Sequence, residues 1–152
     1  GALISRNCDI MQGALKLAQA RLSVATLDQL GAAALYGVDP GYFDATRNEY
    51  RRRRDTCYRK LLEIPGIVTT EPQGAFYTMA KLPVDSTERF QLYLLQEFED
   101  NGETVMFAPG SGFYATPGAG TSEIRIAYVR CVEELERSLT LLRLAIERYN
   151  QK

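Results

Sequence analysis

The feature that most constrains the fold of this chain is a change of hydrophobic period at Pro65-Gly66. Before this dipeptide, apolar residues recur at intervals of three and four, which is the spacing of one face of an α-helix. After it, segments of alternating apolar and polar residues are typical of strands with one buried face. The sequence therefore predicts an α/β (α+β-like) fold with helices packed on a small mixed β-sheet.

Local capping residues and chain breakers set the bounds of the predicted elements. Asp39-Pro40 places a capping residue before a proline at the first helical position, so a long helix begins there. Asp85 with Glu88 forms a capping box at the start of a later helix. The predicted order is a strand at 1–5, two helices within 8–37, a helix at 40–64, strands at 67–71 and 75–82, a helix at 85–100, a strand at 105–108, a loop at 109–122, a strand at 123–129 and a last helix with core residues Leu135, Leu139, Leu142 and Ile146.

Composition excludes several classes of function. The net charge of −1 over 152 residues provides no field that would attract nucleic acid or an anionic membrane, and no apolar run approaches the roughly 20 residues needed to span a bilayer. The chain has no histidine, which excludes histidine-based triads and argues against a zinc or haem site. Cys8, Cys57 and Cys131 have no metal-type spacing, so we expect reduced core thiols in a cytoplasmic protein.

Arg125 is the residue that most directly indicates a binding site. It lies in the predicted strand EIRIAYV at 123–129, which directly follows the glycine-rich loop at 109–122. Alternation places Ile124, Ile126 and Tyr128 on one face of this strand and Arg125 among small apolar residues on the other. A guanidinium in such surroundings needs a partner, and its planar fork suits a carboxylate. That carboxylate belongs either to the same fold, as a structural ion pair, or to a ligand.

Three other features have both a structural and a functional interpretation. The glycine-rich loop precedes a strand instead of a helix, which disfavours a phosphate cradle and leaves a mobile loop at a site or an ordinary connector. The four arginines at 51–54 cover all sides of a helical turn, which is typical of a solvated face and not of a nucleic-acid surface. The aromatic pair Phe76-Tyr77 is either part of the core or, with Gly74 beside it at the strand entrance, lets a ligand approach the backbone.

Three motifs, in this order, resemble the class I/II aminotransferases of the aspartate aminotransferase superfamily, which are fold type I pyridoxal-phosphate enzymes. They are PQGAFY at 72–77, VMFAPG at 105–110 and EIRIAYV at 123–129, and the resemblance runs over essentially the whole chain. The stretch 19–29 resembles the aspartate aminotransferase branch in particular. The ordered set is specific, although each motif alone is not.

The resemblance implies a division of the chain into parts of two domains. Residues 1–45 would be the tail of a cofactor-binding large domain, including helices of a homodimer surface, and residues 46–152 would be the small C-terminal domain. The family's lysine that forms the Schiff base with pyridoxal phosphate would lie upstream of Gly1, and none of the four lysines here falls at its position. We therefore expect a C-terminal fragment that depends on the rest of its own polypeptide and is inactive alone.

The resemblance also implies an activity and a set of site residues. The parent enzyme would transfer an amino group between an amino acid and a 2-oxo acid, with Arg125 binding the substrate α-carboxylate. Phe76 and Gly74 would line the same pocket, and Arg21 would reach the active site of the partner subunit. Carbon–sulfur lysis on the same scaffold, a non-catalytic effector-binding or dimerisation module, and a free-standing domain that binds carboxylates or a protein partner remain as alternatives.

Overall fold

The computed structural model describes residues 3–20 and 23–151 of a chain that divides into two compact units. The first unit is Gly1–Tyr42 and the second is Phe43–Lys152. In the first unit, α1 (Cys8–Gln19) and α2 (Thr26–Ala34) confirm the two predicted helices, and a single 3₁₀ turn follows α2. Leu3–Ser5 have no regular secondary structure, so the predicted strand at 1–5 is wrong over its described part.

Helix α3 (Pro40–Leu62) begins at the predicted proline. The Asp39 carboxylate accepts a hydrogen bond from the backbone N–H of Gly41 at 3.1 Å, which satisfies one of the donors that a helix start leaves free. Cys57 and Leu61 are the buried residues of α3. The predicted start of the long helix is therefore confirmed.

The second unit contains a four-stranded sheet in the order β1-β2-β4-β3. All of its pairs are antiparallel, where a mixed sheet was predicted; the α/β class itself is confirmed. The sequence predicted the strands but not their direction, because direction is set by which segments become neighbours. The strands are β1 (Val68–Thr69), β2 (Tyr77–Lys81), β3 (Ala108–Pro109) and β4 (Glu123–Ala127).

Two further helices complete the second unit, α4 (Thr87–Gln96) and α5 (Val132–Tyr149). The predicted cap of α4 is wrong by one residue: the Ser86 hydroxyl accepts from the N–H of Arg89, while the Asp85 carboxylate accepts from the Tyr149 hydroxyl at 2.8 Å. Asp85 therefore connects the start of α4 to the end of α5. The predicted core stripe of α5 is confirmed, because Leu135, Leu139, Leu142 and Ile146 are all buried.

The four arginines at 51–54 are not a uniform solvated face. The Arg53 guanidinium is 20% exposed and donates to the carbonyl of Val129 at 2.6 Å. Arg54 is 23% exposed and pairs with Asp55 at 2.6 Å. Two of the four arginines are thus half-buried, and the hydrogen bond of Arg53 connects α3 to the segment that follows β4.

None of the described helices has the length and apolarity that crossing a bilayer requires.

The glycine-rich loop between β3 and β4 is anchored at both ends. The N–H of Gly110 donates to the carbonyl of Glu123 at 2.7 Å, and the N–H of Thr87 donates to the carbonyl of Thr121 at 2.9 Å. A 3₁₀ turn, Ser111–Phe113, lies inside the loop. These bonds hold the loop against α4 and the start of β4, as in a structured connector.

We predict that Gly110→Ala destabilises the fold and that Gly112→Ala does not. A methyl group at Gly110 would lie 2.7 Å from the backbone oxygen of Glu123, whereas one at Gly112 would meet no heavy atom within 4 Å. We expect Gly110→Ala to lower the free energy of unfolding in urea by about 1–3 kcal/mol. Equal effects of the two substitutions would contradict this account of the loop.

The three cysteines differ in exposure. Cys57 is buried as predicted, but Cys8 and Cys131 are exposed, so the prediction of three core thiols is wrong for these two. Burial raises the pKa of the Cys57 thiol to about 12, so it stays protonated at neutral pH. Because this folded pKa exceeds the unfolded value of about 8.5, the thiol's contribution to stability is complete below that value and is lost as the pH rises toward 12.

We predict that Cys8 and Cys131 react with a disulfide reagent at pH 8 in the native chain and that Cys57 reacts only after unfolding. The reactive species is the thiolate, which burial suppresses at Cys57, whereas Cys8 and Cys131 are exposed to the reagent. Mass spectrometry of each modified peptide over time measures the three rates separately. A native-state rate for Cys57 equal to those of the other two would show that the thiol is accessible.

Candidate functional site

The pairing of β4 with β2 determines where Arg125 points. Arg125 lies opposite Met79, and its neighbour Ile124 lies opposite Ala80. Ile124 and Tyr128 are buried, whereas Arg125 is exposed, so the predicted alternation along this strand is confirmed. The sheet therefore buries one face of β4 in the core and presents the arginine on the other.

Two aromatic rings contact the Arg125 guanidinium. Its central carbon lies over the ring of Phe113, 4.4 Å from the centroid, and over the ring of Tyr77, 5.3 Å from the centroid. Both distances fall in the range in which a cation is attracted to an aromatic face. Phe113 comes from the glycine-rich loop and Tyr77 from the start of β2, so two separate segments converge on the arginine.

Within residues 3–20 and 23–151, the intramolecular ion pair that the sequence left open does not form. In the described part of the chain, no carboxylate lies within 4.0 Å of the Arg125 guanidinium, and none of the guanidinium N–H groups donates a hydrogen bond. Glu123, two residues earlier on the same strand, accepts a hydrogen bond from the Tyr114 hydroxyl instead. The aromatic contacts thus hold the guanidinium while its hydrogen-bonding fork remains available to a ligand.

Gly74 and Phe76 lie at the entry to β2. The space beside Gly74 is open, since an added Cβ would have no heavy atom within 4 Å. The Phe76 ring is 52% exposed and packs edge-to-face on Tyr77, with centroids 5.6 Å apart. Phe76 is thus connected to Arg125 through the intervening ring of Tyr77.

The described residues do not bring Arg125, Gly74 and Phe76 into one cavity. Arg125 lines a cavity of about 320 Å³ together with residues 105–108 and part of α5. Gly74 lines a separate cavity of about 230 Å³ together with Tyr128 and residues of α3. Arg21, the fourth predicted site residue, lies outside the described residues.

Sequence reasoning missed Tyr77 and Phe113 as neighbours of the arginine. The alternation of β2 could have placed Tyr77 on the same face, because Tyr77 lies opposite Ala127 and diagonal to Arg125. Phe113 had no such signal. Its position depends on the 3₁₀ turn and on the anchoring of the loop, which no periodic pattern encodes.

Taken together, the described residues do not fit pyridoxal phosphate. The cofactor needs a lysine amine for its imine, and the lining of the cavity beside Arg125 contains none. Lys60 forms an ion pair with Glu63 at 2.5 Å, and Lys81 lies opposite Glu123. The glycine-rich loop runs into β4, so it offers no helix N-terminus to a phosphate. The donors that are present suit a carboxylate.

Comparison with known proteins assigns the chain to a family. A family model described as aminotransferase class I and II matches residues 1–140. The chain is 30% identical over 150 residues to an aspartate aminotransferase of Bacillus subtilis, covering 93% of this chain and 36% of that protein. It is 33% identical over 153 residues to an aspartate aminotransferase of Bacillus sp. strain YM-2, covering 95% of this chain and 35% of that protein. The chain thus spans about a third of the length of these relatives.

Solved structures agree with this assignment. An alanine aminotransferase from Pyrococcus furiosus superimposes with a TM-score of 0.70 at 32% identity, over 88% of this chain and 33% of that one. A second solved structure is the α-aminoadipate aminotransferase LysN from Thermus thermophilus, complexed with N-(5′-phosphopyridoxyl)-L-leucine. It superimposes with a TM-score of 0.72 over 93% of this chain and 36% of that one. At 23% identity, this similarity shows the fold alone. The chain belongs to the class I and II aminotransferase family.

Proposed function

We propose that this chain is the substrate-binding C-terminal part of a pyridoxal-phosphate-dependent aminotransferase that resembles aspartate aminotransferases. Residues 46–152 form its small domain, and residues 1–45 form the tail of its cofactor-binding domain. The observation that carries the proposal is the Arg125 guanidinium, which lies over two aromatic rings and has no anionic partner in the described part of the chain.

The reacting substrates of such an enzyme are an amino acid and a 2-oxo acid, and both carry an α-carboxylate. Arg125 binds that carboxylate through two parallel N–H···O bonds, the geometry that a planar guanidinium provides and an ammonium does not. Tyr77 and Phe113 limit the rotation of the guanidinium, so less conformational entropy is lost when the carboxylate binds. In this role Arg125 orients the substrate, and the electron-sink chemistry comes from pyridoxal phosphate.

The cofactor-binding groups lie in a part of the protein outside the described residues. Two observations support this part of the proposal: the cavity lining at Arg125 contains no lysine, and the chain spans about a third of the length of its relatives. The chain alone is therefore inactive in amino transfer. Screening amino donors with the complete protein identifies the substrate pair, and product analysis separates amino transfer from carbon–sulfur lysis.

The first unit contributes to a homodimer surface in this proposal. Neither α1 nor α2 has a buried residue, although both carry large apolar side chains. Leu15, Leu17, Leu27 and Leu30 are each more than half exposed. Apolar surface of this kind is typical of a face that another part of an assembly covers.

We predict that Arg125→Ala in the complete enzyme lowers kcat/KM. The loss of transition-state stabilisation should be about 3–5 kcal/mol, the range for a lost charged bidentate contact. Arg125→Lys should recover only part of this loss, because a lysine keeps the charge but not the fork. Steady-state kinetics with saturating and limiting 2-oxo acid measure both effects.

Arg130→Ala is the matched control. Arg130 lines the same cavity but pairs with Glu134 at 2.8 Å and is 68% exposed, so its loss should change kcat/KM by less than about threefold. A loss below tenfold for Arg125→Ala, or an equal loss for both variants, would exclude the proposed role of Arg125.

A further inference from the structure

The turn before β2 contains a residue in a conformation that its side chain disfavours. Ala75 has a φ of 61°, in the left-handed region, and the only other described non-glycine residue with a positive φ is Asn101. Asparagine tolerates this region through local hydrogen bonding, but alanine has no such compensation. A strained backbone of this kind persists only where surrounding contacts fix it.

The contact that fixes Ala75 comes from Tyr128. The Tyr128 hydroxyl donates to the carbonyl of Ala75 at 3.1 Å, with the carbonyl of Gly74 at 3.4 Å as a second acceptor. The backbone N–H of Tyr128 donates to the carbonyl of Phe76 at 2.9 Å. One residue therefore holds three consecutive carbonyls of this turn.

The Tyr128 side chain is well suited to a fixed role of this kind. It is 1% exposed and packs in the core, on the opposite face of β4 from Arg125. Burial, followed by the nearby Cys57, raises the pKa of its phenol, so the hydroxyl remains a donor over the working pH range. The donor that holds the turn is thus itself immobilised by the core.

The turn determines where two aromatic rings lie. Phe76 directly follows Ala75, its ring packs at 88° against Tyr77, and Tyr77 contacts the Arg125 guanidinium. A rotation of the peptide between Gly74 and Ala75 would change the direction in which the chain enters β2. The rings would shift with it, and the guanidinium would lose one of its two aromatic contacts.

We propose that Tyr128 is a positioning residue for the carboxylate site: its hydroxyl holds the Gly74-Ala75 turn in the conformation that packs Phe76 against Tyr77 and places Tyr77 against Arg125. This inference rests on the proposed function of Arg125. In this role Tyr128 acts through the carbonyls of the turn.

The test uses Tyr128→Phe in the complete enzyme, which removes the hydroxyl and keeps the ring in the core. Binding of succinate, a carboxylic acid with no amino or oxo group to react, is measured by calorimetry, and KM and kcat are measured separately. We expect the Kd for succinate and the KM of the carboxylate substrate to rise about five- to tenfold, as for one lost hydrogen bond, with kcat changed less than twofold.

Tyr149→Phe is the matched control. It removes a partly buried tyrosine's hydrogen bond to Asp85, 2.8 Å long, at the far end of α5. A merely structural role of Tyr128 predicts that both variants lower the Tm and that neither changes the Kd. The positioning role predicts a change of Kd in Tyr128→Phe alone.

Ala75 supplies two further variants at an exposed position that leave the core intact. Glycine adopts a positive φ without strain, so at position 75 it should not need the Tyr128 hydrogen bond. The double variant Ala75→Gly, Tyr128→Phe should therefore bind succinate with a Kd within about twofold of that of Ala75→Gly alone. Ala75→Val increases the strain and should weaken succinate binding even with Tyr128 present. This second variant keeps the test decisive if Tyr128→Phe does not fold.

The outcomes separate this inference from the function on which it rests. If Arg125→Ala abolishes succinate binding while Tyr128→Phe and Ala75→Val leave the Kd unchanged, the positioning role is wrong and the role of Arg125 stands. If succinate binding does not depend on Arg125, the proposed function fails and the inference fails with it.

Discussion

The five-residue pairing of β2 with β4 is the constraint on which the second unit and its site depend. Pairs such as Ala80 with Ile124 fill the core face of the sheet, and the same register leaves Arg125 on the opposite face. A slip of one residue would bury the guanidinium and expose Ile124, at the cost of desolvating a charge. The hydrophobic pattern that stabilises the sheet is therefore also what presents the arginine.

The environment of Arg125 is organised by attraction to aromatic rings and not by an opposite charge. Phe113 and Tyr77 lie 4.4 and 5.3 Å from its central carbon, measured to their ring centroids. Aromatic faces stabilise a cation without occupying its N–H donors. A structural carboxylate in their place would compete with the ligand. The arrangement therefore suits the proposed role of Arg125 in binding an anionic substrate.

Sequence patterns predicted the elements whose determinants are local. The start of α3 at Pro40, the core stripe of α5 and the alternation around Arg125 follow from caps and periodicity, and all three are confirmed. The direction of the strands, the cap at Ser86 and the approach of Phe113 to Arg125 depend on contacts between distant segments. The resemblance to aminotransferases supplied the proposed function and the proposed roles of the site residues, which periodicity alone could not provide.

The most direct test of the central claim is a crystal structure of the complete protein with a non-reactive carboxylic acid bound. The account predicts that both carboxylate oxygens lie within 2.7–3.2 Å of Arg125 nitrogens. It also predicts that the Tyr77 and Phe113 rings keep their present contacts with the guanidinium. A carboxylate bound elsewhere, or an Arg125 paired with an aspartate or glutamate of its own protein, would contradict it.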